Sequence, residues 1–175
     1  ATLQRQVDVF SLSARDKGII LNTCGMEDTF LMWMDEDNVD KVFANLMSNA
    51  LKFTPEGGSI QGTFDLINQQ EAASLFTLNE SAKDMQYIKL CVANTGRSIP
   101  EDQLEKIFER YYQVANQTEG YYNWGTGIGL YYARCLVKLH HGHIKASVPD
   151  EGGGAVFTFI LPVNDCAYTE DERVS

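Results

Sequence analysis

The stretch "NLMSNALKFT", Asn45 to Thr54, repeats its apolar residues at helical spacing, yet carries Asn45 and Asn49 one turn apart and Lys52 three positions later. Asparagine is a poor helix former, because its side chain competes for backbone hydrogen bonds. At ~100° per residue, Val39, Val42, Phe43, Leu46, Ala50 and Phe53 share one arc of a helix that Asp35 or Asp37 can cap. Asn49 falls at the edge of that arc, and Asn38, Asn45 and Lys52 line the strip beside it. A solvated flank accounts for Asn38 and Lys41. For Asn49 position argues against it, since an amide at a buried boundary needs hydrogen-bond partners. An amide oxygen there suits a hard cation such as Mg²⁺, and a lysine one turn on reaches a phosphate. This helix reads as the floor of a site.

Outward from the helix, Leu3, Val7, Phe10 and Ala14 keep helical spacing, with Gly18 placed as the C′ residue. "IILNT" (19–23) and "TFLMWM" (29–34) read as short strands, paired as a hairpin around Cys24–Asp28. "TPEGG" closes the central helix. "SIQGTFDLI" (59–67) and "YIKLCVAN" (87–94) are strands separated by residues 68–86, a longer excursion than a tight hairpin needs. Pro100 and the acidic "EDQ" start a short helix ending near Phe108. Residues 109–125 show no period. A helix follows from about Thr126 to His140, then strands "HIKASV" and "AVFTFILP" joined by "PDEGGG". Strands and helices mix without regular βαβ alternation, which predicts a two-layer α/β sandwich: a mixed, largely antiparallel sheet covered on one face by about three helices. Residues 1–163 are expected to form one domain, and the acidic 164–175 a tail or linker.

With 175 residues, 44% of them hydrophobic, the chain suits one folded module with a substantial core. A net charge of −10 argues against a nucleic-acid surface, so any anionic ligand must be held by a local arrangement of donors. Cys24, Cys91, Cys135 and Cys166 lie far apart with no metal-ligand spacing, and read as reduced cytosolic thiols. No secretory leader pattern occurs, and no apolar run approaches the ~18 residues that suggest a membrane span. The expectation is a soluble module.

Two further signals lie downstream. "NTGRSIP", Asn94 to Pro100, follows directly on an apolar strand, where a glycine turn lets backbone approach a ligand closely. "GTGIGL", Gly125 to Leu130, opens a helix and exposes backbone N–H groups, a ready anion site. It is neither a Walker A loop nor the dinucleotide fingerprint.

In this order and spacing, "NLMSNALKFT" resembles the N box, "NTGRSIP" the G1 box, "IFERYYQ" the F box and "GTGIGL" the G2 box of sensor histidine kinases. The resemblance is to their ATP-binding catalytic domain, the Bergerat fold shared with gyrase-type ATPases, and covers nearly the whole chain. It implies ATP and Mg²⁺ as cofactors, held between the N-box helix and a flexible lid. Asn49 would be the Mg²⁺ ligand, Lys52 a phosphate contact, Asn45 a support for metal or phosphates, and Phe53 a neighbour of the adenine. Asn94 stands where the family usually has an aspartate that accepts from the adenine amino group. Gly96, Ile99 and Tyr112 would shape the nucleotide pocket, and Phe108 would anchor a lid over residues 110–124. Gly125, Thr126, Gly127, Ile128, Gly129 and Leu130 would bring the hinge and helix start to the phosphates.

Three positions depart from the family pattern. Asn94 keeps an acceptor but loses a charge, and its amide could turn to an adenine amino group or a guanine carbonyl, weakening discrimination against GTP. Ser98 replaces a glycine. Gln113 replaces an arginine near the γ-phosphate, and takes its place in the catalytic set with Asn45, Asn49 and Lys52.

The resemblance also sets partners. His140, His141 and His143 fall between the last helix and a strand, with no compelling further zinc ligands, and none resembles the phosphoacceptor of a dimerisation helix. The resemblance therefore implies transfer to a histidine on a preceding dimerisation domain, and onward to a response-regulator receiver, separate or fused. It further implies the cytoplasmic part of a homodimeric inner-membrane sensor. Hydrolysing relatives carry a glutamate one turn before the metal asparagine, where this chain has Asn45. An ATP hydrolase and a non-catalytic binding module remain the two rival classes.

Overall fold

A computed structural model describes residues 2–26, 36–78, 85–114, 126–150 and 152–163. The first helix, α1 (Thr2–Asp16), buries Val7 and Ala14 and ends where the sequence places its stop. Gly18 takes φ +65°, its N–H donates to Arg15 O at 3.0 Å, and Ile19 N–H donates to Ala14 O at 2.9 Å. These are the two bonds of a Schellman cap, which a left-handed glycine makes cheaply. The chain turns at once into β1 (Ile20–Cys24).

Helix α2 (Glu36–Phe53) buries Val39, Val42, Phe43, Leu46 and Ala50, the arc read from its periodicity, and Met47 beside them. Phe53 is the exception. It closes the arc by spacing but is 53% exposed and lines the open cavity described below. After α2 come β2 (Ser59–Asn68), α3 (Gln69–Leu75) and β3 (Gln86–Asn94). Two single 3₁₀ turns, Glu101–Gln103 and Lys106–Phe108, replace the expected short helix. Helix α4 (Gly129–Leu139), β4 (His143–Ser147) and β5 (Ala155–Pro162) complete the described order.

The sheet runs β1-β2-β3-β5-β4, with β1–β2 parallel and the other three pairs antiparallel. It is the mixed, largely antiparallel sheet expected. The hairpin partner expected for β1 is not its described neighbour: β1 pairs in parallel with β2, and α2 lies in the crossover that parallel pairing requires. Residues 29–34, proposed as that partner, lie outside the described residues, as does the tail from 164.

Alternation along the strands puts Ile60, Phe64, Ile88, Leu90, Val92, Phe157, Phe159 and Leu161 on one face, in a core shared with α1, α2 and α4. These are the three covering helices. The excursion 68–86 supplies a fourth on the opposite face. Asn68 Oδ1 accepts from Glu71 N–H at 3.0 Å, and Glu71 Oε2 accepts from Asn68 N–H at 2.8 Å, a capping box that starts α3 without a linker. Ala72 then packs with Ile67, Tyr87 and Ile160.

The ring of His143 lies 5.7 Å from that of Phe76, just past α3, on this second face. Burial, with repulsion from Lys138, holds its pKa below the ordinary imidazole value of 6.5. Above that value both folded and unfolded rings are neutral. As pH falls below it, the unfolded chain takes up a proton that the folded ring resists, so stability declines until the folded pKa is passed. Urea unfolding at pH 7.5 and 5.5 should show a smaller acid loss for His143→Phe than for wild type. Equal losses would exclude this histidine as a source.

Candidate functional site

A cavity of about 300 Å³ opens between α2, the ends of β3 and β5, and the start of α4. Its floor is the polar strip of α2, with Asn45, Ser48, Asn49, Lys52 and Phe53 all lining it. Asn45 Nδ2 donates to Lys41 O at 2.8 Å, one turn back. This directs Oδ1 at the start of α4: a Cβ on Gly129 would sit 2.8 Å from it. A side chain at 129 would cover or displace that oxygen. Asn49 is half-buried one turn further on. Lys52 is exposed, with Nζ 4.7 Å from the Phe53 ring centroid, and partial burial lowers its pKa from the ordinary lysine value.

The wall at the end of β3 contains Asn94, Arg97, Ser98 and Ile99. Asn94 is 5% exposed, and its backbone is set by register between Ile60 and Ala155. Its Nδ2 donates to Thr95 O at 3.0 Å. Turning the amide over would bring Oδ1 against that carbonyl, so the two orientations left open by sequence narrow to one, with Oδ1 as the side chain's acceptor. Gly96 does not line the cavity. Its φ is +130°, and a Cβ would meet Phe53 O at 2.8 Å and Pro55 Cδ at 3.1 Å, so it lets this turn press against the end of α2.

Phe108 is also set back from the cavity. Buried, it packs edge-on against Phe157 at 6.4 Å and carries the Arg134 guanidinium 5.8 Å above its ring. Phe157 is the residue that reaches the cavity, with Ile107 and Ala155 beside it.

Tyr112, Gln113 and Val114 line the third wall, facing Thr126, Gly127, Gly129 and Leu130. The two sides are tied at their base, where Tyr111 N–H donates to Gly127 O at 2.9 Å. A Cβ on Gly127 would lie 2.8 Å from Tyr111 C and 2.9 Å from both Tyr111 Cα and Tyr112 O. Both residues hold left-handed backbone, φ +65° at Tyr111 and +66° at Gly127. Ile128 is the N-cap of α4, its carbonyl accepting from Tyr132 N–H at 2.8 Å, and it does not reach the cavity. Ile128 brings no side-chain cap, so the first-turn N–H groups of α4 are not met by one and suit an anion. Gly125, Trp124 and the rest of the proposed lid through 115 lie outside the described residues.

Sequence reasoning assigned no role to Ser48, Arg97, Ile107, Val114, Ala155 and Phe157. Arg97 stood inside a quoted motif and could have been found. Phe157 could not, because alternation gives its face of the sheet but not which helix end lies above it. His140, His141 and His143, given no site role by the sequence, do not line the cavity, and His140 Nε2 lies 3.3 Å from Asn38 Nδ2. Among the described residues no group of three His, Cys, Asp or Glu side chains could hold a metal, and Cys24, Cys91 and Cys135 are free thiols.

The chemistry of this donor set suits a magnesium nucleotide. Mg²⁺ is commonly held by one or two protein oxygens plus substrate phosphates and water. Asn45 and Asn49 offer amide oxygens, Lys52 a cation, and α4 an uncapped N-terminus, all on one cavity.

Residues 34–165 match the family described as "Histidine kinase-, DNA gyrase B-, and HSP90-like ATPase". The chain is similar to the sensor histidine kinase TmoS of Ectopseudomonas mendocina, 37% identical over 144 residues that cover 81% of this chain and 13% of TmoS. It thus spans about an eighth of that relative's length. In fold it is similar to the catalytic domain of histidine kinase ThkA (TM-score 0.68, 24% identity, 95% of this chain and 93% of that one). It also resembles full-length ShkA in complex with AMPPNP (TM-score 0.67, 24% identity, 92% of this chain and 29% of that one). No helix among the described residues is long and apolar enough to cross a membrane. The chain belongs to the family of histidine kinase-, DNA gyrase B- and HSP90-like ATPases.

Proposed function

We propose that this domain binds Mg·ATP and donates the γ-phosphoryl group to a histidine on a dimerisation domain that precedes it in a longer sensor kinase. The observation that carries the reading is the single cavity on which Asn49, Lys52, Asn94 and Gly129 converge from three separate elements. The AMPPNP complex of ShkA, a protein of the same fold, supports a nucleotide as its occupant.

Under this reading the α2 floor holds the triphosphate end. Asn49, with Asn45 beside it, presents oxygen to the cation, and Lys52 and the N–H groups of Gly129 and Leu130 face phosphate oxygens. When bound, Mg²⁺ supplies positive charge that neutralises those oxygens. Gln113 stands at the foot of the lid, where its amide donates to the phosphoryl oxygens in transfer. The bond between the γ-phosphorus and the β,γ-bridging oxygen breaks, an N–P bond forms on the acceptor histidine, and ADP leaves.

Asn45 separates this reaction from hydrolysis. Its Nδ2 is engaged by Lys41 O, and an amide cannot take a proton from water. The domain supplied with its dimerisation domain and γ-labelled ATP should place alkali-stable, acid-labile label on that histidine. Release of labelled inorganic phosphate without labelled protein would favour a hydrolase instead. The onward partner we propose is a response-regulator receiver.

Asn94 gives a separate test. Its Oδ1 accepts from the adenine amino group, a contact guanine cannot reproduce. Loss of one such hydrogen bond is worth about 1 kcal/mol, so Asn94→Ala should weaken ATP binding about fivefold and leave GTP binding nearly unchanged. A competition titration in which both nucleotides weaken equally would contradict the role.

A further inference from the structure

Gly153 and Gly154, at the end of the β4–β5 turn, lie against the turn that follows β3. A Cβ on Gly153 would sit 2.9 Å from Gly96 O, and one on Gly154 would collide with Asn94 O. Gly153 and Gly154 hold φ +68° and +111°, so two glycines in left-handed backbone bring the turns into direct contact. A side chain joins them: Gly154 N–H donates to Ser98 Oγ at 3.1 Å. Gly154 is buried and Ser98 lines the cavity.

The position of this bond matters more than its strength. Ser98 precedes Ile99 and Gly154 precedes Ala155, and both Ile99 and Ala155 line the cavity. Asn94 pairs in register with Ala155. The hydrogen bond therefore ties two walls of the cavity together beside the side chain that reads the base. A glycine at 98 would leave the turns in contact but unjoined, and the Gly154 N–H without this acceptor.

We propose that Ser98 is a positioning residue that fixes the base end of the cavity around Asn94 and so sets the preference for adenine over guanine. The proposal rests on the nucleotide-binding reading above. Ser98 acts through Asn94 and Ala155, and the replacement of the family's glycine becomes a selectivity device.

The test is displacement of a fluorescent ATP analogue by Mg·ATP and by Mg·GTP, with wild type, Ser98→Ala and Ser98→Thr, each checked for its melting temperature. Ser98→Ala should lower the ATP:GTP affinity ratio about three- to tenfold, the range expected for one hydrogen bond to a buried donor. Ser98→Thr keeps the oxygen and should restore the ratio to within about twofold. An unchanged ratio in folded Ser98→Ala overturns the proposal, as does an equal loss for both nucleotides, which would mark a merely structural residue. Wild type that binds neither nucleotide would instead bring down the reading on which the proposal stands.

Discussion

Asn49→Ala should lower Mg·ATP affinity at least about tenfold and phosphoryl transfer by about 10²–10³-fold, the range seen when one preorganised electrostatic contact is removed. The residue is half-buried at the edge of the α2 core arc, so its side chain contributes little to packing. Melting temperature should therefore stay within about 2–4 °C of wild type. The loss should depend on the metal. In excess EDTA, wild type and variant should bind ATP with similar, weak affinity. Undiminished Mg·ATP binding by a folded Asn49→Ala protein would remove this residue from the metal site.

Gly127→Ala should be as damaging, for a backbone reason. The new Cβ would come within 2.9 Å of the backbone of Tyr111 and Tyr112, at a residue whose φ is +66°. Left-handed backbone alone costs an L-residue about 1–2 kcal/mol, and the steric conflict adds to it. The loop must shift, and the bond from Tyr111 N–H to Gly127 O goes with it. That bond joins the two sides of the cavity where Gln113 and the α4 N-terminus face each other. Nucleotide affinity should fall at least about tenfold, while the α2 and sheet core keeps its cooperativity in urea. A folded Gly127→Ala protein with wild-type affinity would show that this glycine is not needed at the loop base.

Local features of the fold were legible in the sequence because they depend on local periods and turn chemistry. Gly18 ends α1 with the expected cap, and the buried arc of α2 follows its helical spacing up to Ala50. Phe53 departs from the arc because burial depends on what lies below a helix, which its own spacing does not contain. The same limit hides the strand order. The sequence yields β3, β4 and β5, but not that β5 lies between the other two, since that is a pairing over long separation. Asn68 and Glu71 spell a capping box in a stretch read only as a long excursion, so α3 was there to be found. Its place on the second face was not.

The candidate site divides along similar lines. Asn45, Asn49 and Lys52 announce themselves as polar residues beside a buried stripe. Tyr111 gives no warning, because nothing about a tyrosine marks it for φ +65°. Ser98 was read as no more than a replaced glycine, whereas the structure gives its Oγ a donor from a turn 56 positions away.

The central claim is that the cavity over α2 binds adenine nucleotide through a metal. The most direct measurement is isothermal titration of the domain with a non-hydrolysable ATP analogue, in Mg²⁺ and then in EDTA. One saturable site should appear in Mg²⁺ and weaken at least about tenfold when the metal is withdrawn. No binding heat at any temperature tried, or equal affinity with and without Mg²⁺, would contradict the account.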